Sequence, residues 1–371
     1  MFRAIIFFLA GAISYLVTGW LIASPSWLRS LDIPNDRSSH TRPTPRMGGL
    51  GVVAAFVILL PLLWVMLLPE AHNWLYATKF GIALLGYVVI AAVGFIDDLR
   101  RIGPLPKYLG QFVAALIALW GGVIFLQFHV PVVGAISFSA MGHPGWIIGA
   151  CLTVVWLTGF SNFFNFMDGI DGLAGGVGAI YSLALSVVCI GTGHRLLGAG
   201  SLMLAAACLG FLAHNFPPAK IFMGDVGSLF IGYVLAAFAV VTTNSGERPV
   251  PFIAVLLIFG TFLHDATFTL LRRWRRGEKL YQAHRSHLYQ RLTGAGQSHR
   301  RVSLTYYFLS LCLGGAGIAY TFSGDHARLA IIGASLALLA GFTAYVYRYE
   351  AWADRRRALY QADAAIKPAE G

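Results

Sequence analysis

Long apolar runs dominate the chain, and almost none of them alternates. Eleven stretches read as membrane-spanning helices: residues 4–23, 49–68, 80–96, 109–126, 146–163, 173–191, 196–213, 229–241, 252–271, 304–322 and 329–347. Many approach the roughly 20 residues a spanning helix needs, whereas an outer-membrane barrel would show short alternating segments. The pattern therefore predicts an all-α polytopic membrane protein of about 11 transmembrane helices. Residues 1–348 form a single transmembrane domain, and residues 349–371 a tail. The first run exceeds the apolar core of about 7–15 residues in a signal peptide, and no small-x-small site follows it, so it reads as a span.

Composition agrees with that picture. Of 371 residues, 57% are apolar and 12% charged, with a mean hydropathy of +0.69; soluble domains carry about 25% charged residues. The net charge of +11 could suggest nucleic acid as a partner, but the bases sort by topology instead. With the N-terminus outside, 22 of the 27 Lys and Arg residues fall on the odd-numbered connections and the tail. The positive-inside rule then places the N-terminus in the periplasm and the C-terminus in the cytoplasm. Nine of the 16 acidic residues also fall on the inner connections or at their edges. Solubilising acids would be spread over both faces, so a site opening to the cytoplasm is expected. The four cysteines lie in spans without metal-ligand spacing and read as small buried hydrophobes.

Polar residues at span ends carry the candidate chemistry. Asn162, Asn165, Asp168 and Asp171 recur every third residue at the end of the fifth span, so they neighbour one another on a helix. Asp97 and Asp98 close the third span, and Lys107 follows within reach of the same anion. Asp225 lies between Gly224 and Gly227, in a loop whose backbone amides can approach a phosphate. Arg46 lies in a Pro- and Gly-rich first inner loop. A long basic connection ends in His284, Arg285 and His287, which suit anion contact better than zinc because nothing completes a zinc site. Each has an ordinary alternative: helix capping, an Asp–Arg pair, topology-setting charge or a membrane-surface helix. Asp265, inside the ninth span, could pair with one of the loop arginines. A hard cation held by few carboxylates together with substrate phosphate suits Mg²⁺, with Mn²⁺ as a substitute.

Five ordered motifs carry a resemblance: Pro43-Thr-Pro-Arg-Met-Gly-Gly49, Phe95-Ile-Asp-Asp98, Asn162-Phe-Phe-Asn-Phe-Met-Asp-Gly-Ile-Asp-Gly-Leu-Ala174, Phe222-Met-Gly-Asp-Val-Gly-Ser-Leu229 and His284-Arg-Ser-His287. Between about Pro34 and Leu292 the chain resembles the bacterial polyprenyl-phosphate N-acetylhexosamine-1-phosphate transferases (glycosyltransferase family 4), and within them the O-antigen-initiating branch. The resemblance implies an Mg²⁺-dependent enzyme of the bacterial inner membrane. It would transfer GlcNAc-1-phosphate, or a 6-deoxy sugar phosphate such as that of FucNAc or QuiNAc, from a UDP-sugar to undecaprenyl phosphate, releasing UMP. By resemblance Asp225 and Asn165 hold the metal. Asp97, Asp98 and Asp225 are catalytic. Lys107, Asn162, Asp168, Asp171, His284, Arg285, His287 and Arg46 bind substrate. Partners are undecaprenyl phosphate, a UDP-N-acetyl-sugar and membrane lipid, with a homodimer left open and nucleic acid excluded.

Two other readings compete. Pentapeptide translocases of peptidoglycan synthesis carry a run of histidines where this chain has His284-Arg-Ser-His287, which speaks against the peptide substrate. A secondary transporter would place its binding groups near the midplane on broken, repeat-related helices, whereas the polar groups here gather at one face.

Overall fold

The computed structural model describes residues 2–24, 31–32, 43–67, 74–131, 133–244, 248–279, 282 and 284–366. It is 79% helical. The helices are α1 (Phe2–Ala23), α2 (Leu50–Leu67), α3 (Trp74–Arg100), α4 (Pro104–Trp120), α5 (Gly142–Phe166), α6 (Leu173–Gly191), α7 (Arg195–Asn215), α8 (Asp225–Asn244), α9 (Phe252–Ile258), α10 (Gly260–Arg275), α11 (Leu288–Gly294), α12 (His299–Phe322) and α13 (Asp325–Ile366). Two short antiparallel ribbons complete the described residues. In the first, β1 (Leu31–Asp32) pairs with β2 (Thr44–Pro45); in the second, β3 (Gln127–Val130) pairs with β4 (Gly134–Ser137).

Among the described residues nine helices are long and apolar enough to cross a membrane, or ten if α9 and α10 together make one span. Two of the eleven expected spans account for the difference. The fourth is helical only from Pro104 to Trp120, because Gly121 caps it and Gly122 adopts φ +90°. At 1.5 Å per residue its 17 residues reach about 26 Å. The apolar residues that prolong the sequence pattern, such as Phe125, belong instead to the approach to β3. The ninth bends by 82° between α9 and α10. The Tyr181 hydroxyl bridges that break: it donates to the Phe259 carbonyl at 3.1 Å and accepts from the Phe262 amide at 3.0 Å. Broken backbone at membrane depth is tolerated where protein re-satisfies the freed groups in this way.

Helix α8 is the centre of the bundle. Its span is 94% buried, against 17% for α13 at the periphery. It packs on α5 and α3, while α1 packs on α7 and α2, and α6 on α7 and α12. Position 349, where a separate tail was expected to begin, falls inside the uninterrupted α13, and residues 367–371 lie outside the described residues. The ends of α3, α5 and α8 that carry Asp97, Asn165 and Asp225 meet at one end of the bundle, joined there by the loop before α11.

That meeting depends on a close crossing of α3 and α8. A side chain at Gly94 would lie 2.4 Å from the Asp225 carbonyl oxygen and 2.6 Å from the Val226 Cα, both immovable backbone atoms. Gly94→Val should therefore cost about 1–3 kcal/mol through overpacking. Gly81→Ala on the same helix meets nothing within 4 Å and should cost nothing. Thermal unfolding of both variants in detergent checks this; a Gly94→Val midpoint equal to wild type would mean that α3 and α8 separate freely.

Candidate active site

The first turn of α8 organises the site. Both oxygens of Asp98 accept from backbone amides at the start of α8, Asp225 N and Val226 N, each at 3.0 Å. The carboxylate thus satisfies two of the donors that a helix N-terminus leaves free and sits at the positive end of the dipole. Asp98 is 3% exposed. Gly224 makes this fit: it adopts φ +76°, and a Cβ there would come within 2.5 Å of the Asp98 carboxylate. The Pro45–Gly49 loop lies alongside, with Phe222 N donating to Pro45 O at 2.8 Å, Gly48 N to Phe222 O at 2.9 Å and Gly49 N to Met223 O at 2.9 Å. Arg46 is thereby brought to the site, 4.0 Å from Asp32.

Next to this cap lies an ionic cluster. The Lys107 ammonium, on the first turn of α4, is 3.2 Å from Asp97 Oδ2 and 3.3 Å from Asn165 Oδ1, and it also bonds Asp225 Oδ2. Asn165 Nδ2 donates to Asp225 Oδ1 at 2.9 Å and to Ser228 Oγ at 2.8 Å. One turn below, Asn162 and Gln111 exchange reciprocal amide hydrogen bonds, with Gln111 Nε2 donating to Asn162 Oδ1 at 3.2 Å. Asn162 Nδ2 also donates to the Thr158 carbonyl at 2.8 Å. The pair ties α4 to α5 directly beneath Lys107 and Asn165.

These groups line a cavity of about 530 Å³. Arg46, Asp97, Asp98, Lys107, Asn162, Asn165, Asp225, His284 and His287 all contribute to its wall, so nine of the twelve residues singled out from the sequence converge. Three do not line it. Arg285 is exposed outside it. Asp171 is engaged elsewhere: its Oδ2 accepts from Ala219 N at 3.1 Å, and its Oδ1 is 3.4 Å from His299 Nδ1. Asp168 is not part of the lining but lies near enough to Asp225 and Asp98 to feel their charge. Burial, and then the carboxylates of Asp225 and Asp98, raise its pKa to about 8 against the opposing pull of Arg46. Burial, together with the neighbouring His287 ring and the positive charge of Arg273, pushes His284 down to about 4. His284 is therefore neutral at pH 7 and acts as a hydrogen-bonding group rather than a cation.

Sequence reading missed several participants. Gln111 is fully buried, four residues after Lys107 and so on the same helical face; a lone amide in an apolar run was its available signal. Ser228 lies one turn after Asp225. Asp265 bonds His287 and the start of α11 rather than an arginine. Gln282 and Gln290 add amides to the cavity lining.

The donor set suits a hard cation. Three oxygens, from Asp97, Asn165 and Asp225, already surround one positive charge, the Lys107 ammonium. Among the described residues no three His, Cys, Asp or Glu side chains form a complete cage. Mg²⁺ typically takes one or two carboxylates and completes its shell with waters and substrate phosphates, which fits such an incomplete set.

Residues 80–243 match the family described as glycosyl transferase family 4. The chain is 34% identical over 351 residues to the decaprenyl-phosphate N-acetylglucosaminephosphotransferase of Mycobacterium tuberculosis H37Rv, covering 88% of this chain and 84% of that one. It is 29% identical over 314 residues to a probable undecaprenyl-phosphate N-acetylglucosaminyl 1-phosphate transferase of Bacillus subtilis 168, covering 83% and 82%. It is 31% identical over 289 residues to the phospho-N-acetylmuramoyl-pentapeptide-transferase of Levilactobacillus brevis, covering 74% and 83%.

The raised Asp168 predicts a pH effect on stability. Between the unfolded value near 4 and the folded value near 8, the native state holds a proton that the unfolded chain releases. Stability should therefore fall as pH rises through this window and level off above it. Asp168→Asn should flatten that slope and melt above wild type at pH 8. Melting curves from pH 5 to 9 without divalent cation test this, and parallel slopes would contradict it.

Proposed function

Because the chain belongs to glycosyl transferase family 4, the polyprenyl-phosphate hexosamine-1-phosphate transferases, we propose that it transfers N-acetylhexosamine-1-phosphate from a UDP-sugar to undecaprenyl phosphate. The observation that carries this reading is the Lys107 ammonium held among Asp97, Asn165 and Asp225 on the wall of a cavity large enough for a nucleotide-sugar. Both substrates are anions, and their approach needs charge neutralisation. Lys107 and Arg46, both on the cavity wall, supply it.

In this reading an oxygen of the lipid phosphate attacks the sugar-bearing phosphorus of the donor. A new P–O bond forms, the bridging P–O bond breaks, and the electron pair leaves with UMP. A phosphate monoester is mostly dianionic at pH 7, so the attacking oxygen needs no strong base. Asp97, which faces Lys107, positions the lipid phosphate and takes any residual proton. Asp98 holds the first turn of α8 so that Asp225 stays aimed at the reactants. Asp225 and Asn165 would hold Mg²⁺, which when bound supplies Lewis-acid stabilisation of the diphosphate. The neutral His284, with His287 and the amides of Gln282 and Gln290, forms the wall for the sugar and diphosphate.

We read the donor as UDP-GlcNAc or a 6-deoxy relative carrying FucNAc or QuiNAc, and the product as the first lipid-linked sugar of O-antigen or another envelope polysaccharide. Two of the relatives are named for GlcNAc transfer. Where the peptidoglycan enzymes carry a histidine run, this chain reads His284-Arg-Ser-His287, which favours a sugar without a peptide. The enzyme is placed in the bacterial inner membrane as a multi-pass protein of about eleven membrane segments, α4 among them. The excess of Lys and Arg on the site's side of the bundle makes that side cytoplasmic.

Purified protein given undecaprenyl phosphate and a panel of UDP-N-acetylhexosamines should release UMP in the presence of Mg²⁺ and lose that activity in EDTA. No release with any donor would overturn the reading. Asp225→Asn should keep the fold and lower kcat by at least about 100-fold, the scale of losing one electrostatic stabiliser of the transition state. A chirally labelled donor should show inversion at phosphorus; retention would indicate a covalent aspartyl-phosphate.

A further inference from the structure

A second buried carboxylate, away from the ionic cluster, has no part in the reaction as described so far. Asp265 lies on α10 with no exposed surface. Its Oδ1 accepts from Leu288 N at 2.8 Å and Thr269 Oγ1 at 3.2 Å, and lies 3.2 Å from His287 Nδ1. Its Oδ2 accepts from Tyr289 N at 3.2 Å and from the Tyr306 hydroxyl. Five partners surround two oxygens, and two of them are backbone amides, which can only donate. A buried carboxylate so engaged is an acceptor on every side, so the His287 nitrogen facing it must carry the proton.

The consequence falls on His287. With Nδ1–H committed to Asp265, the nitrogen left for the cavity that His287 lines is Nε2. The ring is held on its other sides as well: Tyr289 stacks at 5.9 Å between ring centres, His284 lies at 4.9 Å and Phe166 at 6.1 Å. Tyr289 is itself fixed by its hydroxyl, which donates to the Phe166 carbonyl at 3.0 Å. The same face of α10 gathers the rest of the basic loop. Arg272 Nη2 donates to the Ser286 carbonyl at 2.6 Å, and Arg273 Nη2 to the Lys279 carbonyl at 2.7 Å. A chain that only needed to close this loop could do so with the two arginines. The aspartate adds control over which imidazole nitrogen meets a ligand, and in imidazole chemistry that choice is set by the hydrogen bond on the opposite nitrogen.

We propose that Asp265 is a positioning residue for the reaction: it locks His287 in the Nδ1–H tautomer and so presents Nε2 to the phosphates of the bound nucleotide-sugar. This rests on the transferase reading for the identity of the ligand, whereas the tautomer itself needs no substrate. Removing Asp265 should therefore leave binding largely in place and misdirect the ring. An Asn at this position keeps the shape and one acceptor oxygen, but its amide nitrogen offers a donor where His287 now finds an acceptor.

Two measurements test the proposal. The first is ¹⁵N NMR of histidine-labelled wild-type protein in nanodiscs without substrate, with the His287 signals assigned from their loss in His287→Gln. Nitrogen shifts of an Nδ1–H ring are expected; a neutral ring protonated at Nε2 instead of Nδ1 in the wild type overturns the proposal whether or not any variant folds. The second is a kinetic cycle. Asp265→Asn should lower kcat about 10–100-fold, the usual range for losing the partner that orients a functional histidine, with KM for both substrates little changed. Because the aspartate acts through the histidine, the Asp265→Asn/His287→Gln double variant should be no slower than His287→Gln alone. Losses that multiply would mean that Asp265 serves the fold and not the ring, and would also overturn the proposal. If UMP release is never seen, the transferase reading fails while the tautomer result still stands or falls by itself.

Discussion

Carboxylates at the end of an apolar bundle must be matched by cations or by backbone dipoles, and four carboxylates here are matched in three ways. Asp98 is answered by two amides of α8, Asp97 and Asp225 by the Lys107 ammonium, and Asp265 by two amides of α11 with His287. Burial of an unpaired charge costs several kcal/mol after relaxation, so these pairings dictate where helix ends stand. The α3–α8 crossing at Gly94, the loop that runs along Phe222 and Met223, and the amide pair beneath Lys107 can all be understood as scaffolding for charges that have to meet.

This division separates adjacent residues that look alike in sequence. Asp97 and Asp98 are neighbours, yet successive helical positions point about 100° apart. One faces an ammonium in the cavity; the other closes a helix terminus behind it. A neighbouring pair of acids is thus a hinge between chemistry and architecture. The same holds for Asp168 and Asp171, three residues apart, where one feels the charges of Asp225 and Asp98 and the other bonds Ala219, beyond α7, and pairs with His299 at the start of α12.

The main features of the site were legible because polar residues stand out in an apolar chain. Asn165, Asp225 and Lys107 each announce themselves at the end of a run, and topology alone puts those ends together. What the pattern does not carry is pairing across the fold. Lys107 and Asp225 are 118 positions apart, and nothing local distinguishes an ammonium that joins three oxygens from one that faces solvent. Asp265 is similar: its position inside an apolar span suggests a partner but does not choose His287 over an arginine. The helix count suffered for a different reason. Hydrophobicity reports burial and not direction, so the 82° bend after Ile258 and the turn at Gly121 were both hidden inside runs that read as continuous.

Helix α13 shows how far such continuity can extend. At 42 residues it measures about 63 Å, twice the roughly 30 Å of a bilayer's hydrocarbon core. About half of it must therefore project beyond the lipid. Glu350, near the middle of the helix, bonds Arg291 of α11, whose guanidinium also lies 3.9 Å over the Tyr347 ring. The short helix α11, which begins at Leu288, is thus tied to α13 at Glu350 and Tyr347. The placement of the long helix and that of the segment following the loop histidines are set together.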